Sequence, residues 1–166
     1  MVIYENVKIC ERTKIAMHER AMIGDFSFIC CAELVMMEGA QISRFCEVSG
    51  RGRVDIGQFS TIASHCTLLT STDTSIGIMN DFAPEKLRRV KTQDILIGDR
   101  VFIGEGCLIM PGAHIGNDAY IYPRSIVKED VAPKKIYHAG VTRMNSFMAD
   151  RNYDPEVQEE IKRRWP

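Results

Sequence analysis

Leucine is scarce in this chain of 166 residues, with 6 Leu against 19 Ile. Leu usually leads in soluble domains, and helices accept it more readily than β-branched Ile. That ratio argues against a helix bundle and for pleated, half-buried β-structure. Long apolar runs are also missing. None approaches the ~20 residues that span a bilayer, so no membrane insertion is expected. Met1 to Ile9 lacks the basic start and apolar stretch of a signal peptide. Charge of one sign is missing too: Lys plus Arg is 21, Asp plus Glu is 22, and the net charge is −1. Such a balance offers nothing to nucleic acid or to an acidic membrane. Six cysteines stand at 10, 30, 31, 46, 66 and 107, without a C-x-x-C pair. Zinc cages and secreted disulfide frameworks show closer, paired spacing. The six therefore read as reduced thiols of a cytoplasmic protein, and the length as one domain.

What the chain does have is a repeat. From Ile97 it reads IGDRVF, IGEGCL, IMPGAH, IGNDAY, IYPRSI, VKEDVA, six hexads without insertion. Ile97, Ile103, Ile109, Ile115, Ile121 and Val127 take the first place. Val101, Cys107, Ala113, Ala119, Ser125 and Val131 take the fifth, and all are small or β-branched. The N-terminal half carries the pattern with slips: Ile23, Ile29, Val35, then Ile42, Val48, then Ile56, Ile62, Leu68, with Ile9 and Ile15 in an opening coil. A period of six describes a short strand and a turn, with the large aliphatic and the small fifth residue both inward. Gly in second place, at 98, 104 and 116, suits a tight turn or a close approach of backbones. Three sides make a triangular coil of about eighteen residues, and stacked coils pair through parallel ladders. The expectation is an all-β solenoid of about five coils, roughly 25 Å tall at the usual ~4.8 Å strand spacing.

Two segments break the repeat. Residues 71–94 are too long for a turn, and long loops in compact domains are usually functional or disordered. Their middle, APEKLRRV, reads as one helical turn starting near Pro84. After Val131 comes a tail, 132–166, in which Asp154-Pro155-Glu156 starts a short amphipathic helix, Pro155 to Arg164. It would cap the last open coil of a prism spanning residues 1–131.

These hexads resemble the hexapeptide-repeat, left-handed β-helix acyltransferases. The branch they resemble holds galactoside, maltose and xenobiotic acetyltransferases and sugar acetyltransferases of surface-polysaccharide (lipopolysaccharide) pathways. The carrying residues are IGDRVFIGEGCLIMPGAHIG (97–116), SIVKEDV (125–131) and AGV (139–141). The resemblance implies a left-handed parallel β-helix and a homotrimer. It implies acetyl-CoA or another acyl-CoA as donor, no metal, and an active site in the cleft between subunits, roofed by the excursion 71–94. The acceptor would be the amino or hydroxyl group of a sugar or nucleotide-linked sugar. Carried over by position, Phe102 packs at the acyl site. Gly104, Glu105 and, one coil on, Pro123 lie along the pantetheine arm, although the family has small residues where Glu105 and Pro123 stand. Lys128 and Arg143 are candidate partners for the CoA phosphates, with Lys134 and Lys135 beside them. Arg88 and Arg89 on the excursion, with Lys91, are candidates for an acidic acceptor.

The family usually places a His in the excursion as base. Here residues 71–94 contain none, and Asp73 stands near the matching place. A sugar hydroxyl needs a positioned base with a pKa near working pH, and an exposed Asp, at ~3.9, is a poor one unless burial raises it. An amine acceptor needs less help, which favours N-acylation or a His from elsewhere. His65, at the fourth place of the hexad before the excursion, is the best of the four. His18, His114 and His138 read as surface or interface residues. Two alternatives stay open. One is a non-catalytic scaffold or binding protein. The other is a carbonic anhydrase-like metalloenzyme, which would want two His five residues apart where this chain has His114 and His138, 24 apart.

Overall fold

The computed structural model describes residues 1–74, 76, 78–138 and 163, and the backbone of 141–144. Twenty-one strands and one short 3-10 turn make up the described chain. Strands of two to four residues recur along three faces of a prism. The first face stacks Val2–Ile3, Met22–Ile23, Gln41–Ile42, Thr61–Ile62, Phe102–Ile103, Tyr120–Ile121 and Lys135–His138 in parallel, with Val141–Met144 added antiparallel. The second face has six strands, from Lys8–Ile9 to Ile126–Val127. The third has five, from Lys14–Met17 to His114–Ile115, and Val131 bridges to Ile115 below them. This is a parallel β-solenoid. It holds six coils where the hexad count gave about five, because Val2–Ile3 opens the first coil ahead of Ile9 and Ile15, and Val131 completes the last. Beyond Val131, Lys135–His138 pairs with Tyr120–Ile121 and adds a seventh rung to the first face.

Register explains the composition. On the first face Ile23, Ile42, Ile62, Ile103 and Ile121 lie one above another, and all five are fully buried. A β-branched residue fills each rung in one preferred rotamer and stacks on its like. Tyr137 closes this column in register with Ile121. Its ring is buried, its hydroxyl donates to the Ile126 carbonyl at 2.8 Å, and burial pushes its pKa up.

The N-terminal slips also have a cause. Coils there run to 19 or 20 residues, as the pairs Val2↔Met22 and Met22↔Gln41 show. The extra length sits on the third face, whose strands Lys14–Met17, Glu33–Met36 and Arg53–Ile56 have four residues each. Alternation along a four-residue strand puts Leu34 and Met36 inward and Val35 outward, opposite Asp55. Val35, expected in the interior, is therefore corrected to an outward position.

The excursion is an antiparallel hairpin, Ser71–Asp73 against Val90–Thr92, ahead of which Glu85–Leu87 forms a single 3-10 turn behind Pro84. The helix expected over Pro155–Arg164 falls, but for Arg163, outside the described residues. Among the described residues no helix is long and apolar enough to cross a membrane.

The cysteines split into two groups. Cys46, Cys66 and Cys107 occupy the same inward rung of successive coils, between Ser27 and Ser125, and are buried. Each thiol donates to a carbonyl of the next coil: Cys46 to Ala63, Cys66 to Gly104 and Cys107 to Tyr122, all at 3.1 Å. At Cys66 the Cys107 contact pulls the pKa down, but the Cys46 thiol and burial outweigh it and push the value up to about 11. Cys31 is likewise pushed up to about 11 by burial. Cys10 and Cys30, in contrast, are disulfide-bonded, which corrects the expectation of six thiols. Register is the reason: Ile9 pairs with Ile29, so residues 20 apart in sequence meet with Cα atoms 5.0 Å apart, within disulfide range. Titration with a thiol reagent in denaturant should therefore count four thiols before reduction and six after. Six without reduction would refute the bond.

Candidate functional site

The corner between the first and second faces turns through a left-handed residue in every coil from the second to the sixth. Phe26, Phe45, His65, Gly106 and Arg124 have φ of 58°, 57°, 60°, 67° and 59°. Only Gly adopts this region without strain, so the four others hold it because the ladders on either side leave no alternative. Stacked coils then stack their side chains. Phe26 lies on Phe45 with centroids 5.2 Å apart, and Phe45 on His65 at 5.1 Å, the planes within 8° and 5°. His65 thus ends an exposed stack of rings. Asp73 stands past the next corner, after Thr67–Leu69. At ~3.3 Å per residue the second face sets these two candidate bases roughly 16 Å apart along one protomer. One chain does not bring them together.

Asp73 has a different neighbour. The Arg88 guanidinium, drawn back along the hairpin, reaches Asp73 at 3.5 Å and Asp81 at 2.5 Å, with its side chain only 14% exposed. Its Nε is buried without a partner among the described residues. Arg89 folds onto its own turn, donating to the carbonyls of Lys86 and Arg88. The two loop arginines expected to reach an acceptor are thus committed, one to carboxylates and one to backbone. A cleft of about 540 Å³ opens between the hairpin and the adjacent corner. Asp73, Asp81 and Arg88 line one side and Arg12, Gly50 and Arg51 the other. Arg12 and Arg51 were missed in the sequence because they lie in turns of the first and third coils, 61 and 22 residues before Asp73. Only the slipped register of the N-terminal coils could have signalled them.

The proposed donor side lies on the first face. Phe102 stacks on Tyr120 at 5.3 Å, Tyr120 meets Tyr122 edge-on at 5.4 Å, and Tyr122 meets His138 at 5.0 Å. Phe102 is half-exposed, so this is an accessible aromatic strip. Glu105 and Pro123 are vertical neighbours, as the eighteen-residue coil requires, and Arg124 donates its N–H to the Glu105 carbonyl at 2.8 Å. Gly104 has a packing role: a Cβ there would lie 2.6 Å from the Pro123 nitrogen. Lys128 is exposed, and the Arg143 backbone pairs with Ile136. His114 accompanies Asp130 at the surface, at 3.7 Å. Among the described residues no three His, Cys, Asp or Glu side chains are grouped as a metal site.

Residues 94–129 match the family model for the bacterial transferase hexapeptide, six repeats. Over that stretch the chain carries the hexapeptide repeat. A curated relative, dTDP-4-amino-4,6-dideoxy-D-glucose acyltransferase of Escherichia coli, is 26% identical over 76% of this chain and 71% of its own. WbbJ of Escherichia coli K12, assigned to lipopolysaccharide biosynthesis as an O-acetyl transferase, is 25% identical over 63% of this chain and 55% of its own length. Among solved structures, AntD, an N-acyltransferase from Bacillus cereus, superposes with a TM-score of 0.75 at 19% identity, covering 98% of this chain and 91% of AntD. That structure holds dTDP and coenzyme A.

At position 65 the usual order of stability should invert. His65→Ala loses the ring stack, worth ~1 kcal/mol, and keeps the strained φ. His65→Gly loses the same stack but relieves ~1 kcal/mol of strain. The Gly variant should melt above the Ala variant and close to the parent. Removing Arg88 leaves Asp73 and Asp81 facing each other in a locally held hairpin. Arg88→Ala should speed proteolysis between residues 74 and 90 while moving global stability by under ~1 kcal/mol.

Proposed function

We propose that this protein transfers an acyl group, acetyl first, from acyl-CoA to the amino group of a sugar or nucleotide-linked sugar in surface-polysaccharide biosynthesis. The observation that carries this reading is the excursion hairpin. It brings a carboxylate, Asp73, to the cleft beside Arg88, and its sequence contains no His. An amine is nucleophilic once neutral, so a carboxylate that orients the ammonium and takes up one proton is enough, whereas a hydroxyl needs a stronger base. The curated dTDP-amino-sugar acyltransferase and AntD support the amine. WbbJ favours the second reading, O-acylation, for which His65 is the base candidate.

In this reaction the neutral amine attacks the thioester carbonyl, the N–C bond forms, the C–S bond breaks, and the thiolate leaves. Backbone N–H groups of the coil are suited to the developing oxyanion. The residues on the first face suit an acyl-CoA: the Phe102–Tyr120–Tyr122 strip takes the apolar arm, and Gly104, packed against Pro123, offers its backbone. Glu105 and Pro123 then contribute mainly backbone. Lys128 and Arg143 are our candidates for the CoA phosphates, on the strength of their charge alone. The working unit is a homotrimer, in which one protomer's hairpin faces its neighbour. A cytoplasmic site follows from the acyl-CoA donor. The Cys10–Cys30 disulfide pulls the other way, since such bonds are rare in reducing compartments.

The test is thiol release from acetyl-CoA against a panel of nucleotide-linked amino sugars and their hydroxyl counterparts. The expected result is turnover on an amino sugar by a protein that light scattering shows to be trimeric. Asp73→Asn should lower kcat by about a hundredfold or more, the range of a proton-transfer group, and His65→Ala much less. The reverse order would move the base to His65, and thiol release on no acceptor would favour the scaffold reading.

A further inference from the structure

The corner between the second and third faces is built differently in each of the first three coils. The first coil places Arg12 there, the second has only Cys31 and Ala32, and the third has Gly50-Arg51-Gly52. Between the two arginines, therefore, no long side chain fills the corner.

The Arg51 main chain is held at three successive N–H groups. Ser71 Oγ accepts from Arg51 at 2.9 Å, Thr70 Oγ1 from Gly52 at 3.0 Å, and Asp94 Oδ1 from Arg53 at 2.8 Å. Those acceptors are the residues where the excursion leaves the prism and where it returns. Gly50 has φ of 117°, and a Cβ there would meet Thr70 Oγ1 and the Ser71 nitrogen, the latter at 2.5 Å. Arg12 approaches from above, its Nη2 3.4 Å from the Gly50 carbonyl and 3.4 Å from Cys30 Sγ.

Of the charged side chains that line the cleft, all but these two are already paired. Asp73 and Asp81 share Arg88. Glu33 and Asp55 both lie on Arg53, Glu33 at 3.3 Å. Among the described residues neither Arg12 nor Arg51 has a carboxylate partner. Both face the 540 Å³ cleft, with Asp73 across it. Two coils set their main chains ~10 Å apart, a distance that two long side chains close onto neighbouring phosphates. The planar guanidinium fork matches phosphate oxygens bidentately.

We propose that Arg12 and Arg51 bind the diphosphate of a nucleotide-linked sugar acceptor, with the sugar's reacting group toward Asp73. This assignment rests on the acyltransferase reading for its orientation but has its own readout, binding without turnover. Coenzyme A also carries a diphosphate, so the donor is the competing source.

The experiment is calorimetric titration of the full-length protein with dTDP, with UDP and, separately, with coenzyme A. A nucleoside diphosphate should bind the parent. Arg12→Ala and Arg51→Ala should each weaken it at least tenfold, the range of a charged hydrogen-bonded contact. Arg51→Lys should fall between parent and Ala, because one ammonium replaces a fork. Affinity for coenzyme A should stay within twofold, which also reports that the variants are folded. The proposal is overturned if neither nucleoside diphosphate binds the parent at millimolar concentration, or if the double variant binds as the parent does. It is also overturned if affinity for coenzyme A falls instead, because that gives the pair to the donor. A protein that binds dTDP through this pair yet releases no thiol would sink the acyl-transfer reading and leave the site standing.

Discussion

The vertical register of parallel rungs is the constraint on which the rest of the structure depends. Each coil borrows its backbone hydrogen bonds from the coils above and below, so an isolated coil has almost no internal ladder. A residue's environment is set by what stands one coil away. Ile103 is buried because Ile62 and Ile121 occupy the same column, and the same rule puts three thiols in one interior stack. Ends are the costly places in such an architecture. Tyr137 closes one column at the lower end, where its ring replaces the aliphatic that another coil would have supplied.

Register also accounts for features that would be odd in isolation. Phe26, Phe45 and His65 adopt a left-handed backbone that bulky residues avoid. The corner demands that conformation, and flanking ladders on two faces hold it. Part of the strain is offset by ring stacking along the edge. The disulfide between Cys10 and Cys30 arises from the same geometry, since neighbouring rungs fall within bonding range without any local sequence signal.

Where register is interrupted, polar chemistry collects. The excursion leaves after Thr70 and returns at Asp94, and both residues clamp the Gly50–Arg53 corner. The hairpin projects Asp73, Asp81 and Arg88 from the prism wall, while the corner presents Arg12 and Arg51. Residues from two coils and one hairpin thus share a cleft. A repeat with one polar interruption gives a cleft with one wall fixed by the solenoid and the other formed by the hairpin.

The architecture was legible in the sequence because its cause is periodic. Hexads from Ile97 to Val131 run at a constant six, and every first and fifth residue there is buried. The N-terminal coils were harder to read, since the third face alternates at period two within a four-residue strand. That alternation is why Leu34 and Met36, and not Val35, point inward. The vertical pairing of Glu105 with Pro123 was legible for the same reason, as they are one coil apart. The lining of the cleft was not. Arg12, Arg51 and Asp73 come from different coils and an excursion of irregular length, and a period cannot say which corners face one another across an interruption. By itself, then, the sequence determined the repeat, the interior columns and the place where the prism is broken, all of which follow from local side-chain periodicity. Only the tertiary structure decided which charges meet at that break, which cysteines bond, and that His65 and Asp73 lie on separate corners, because these depend on how many residues each coil spends before it returns to register.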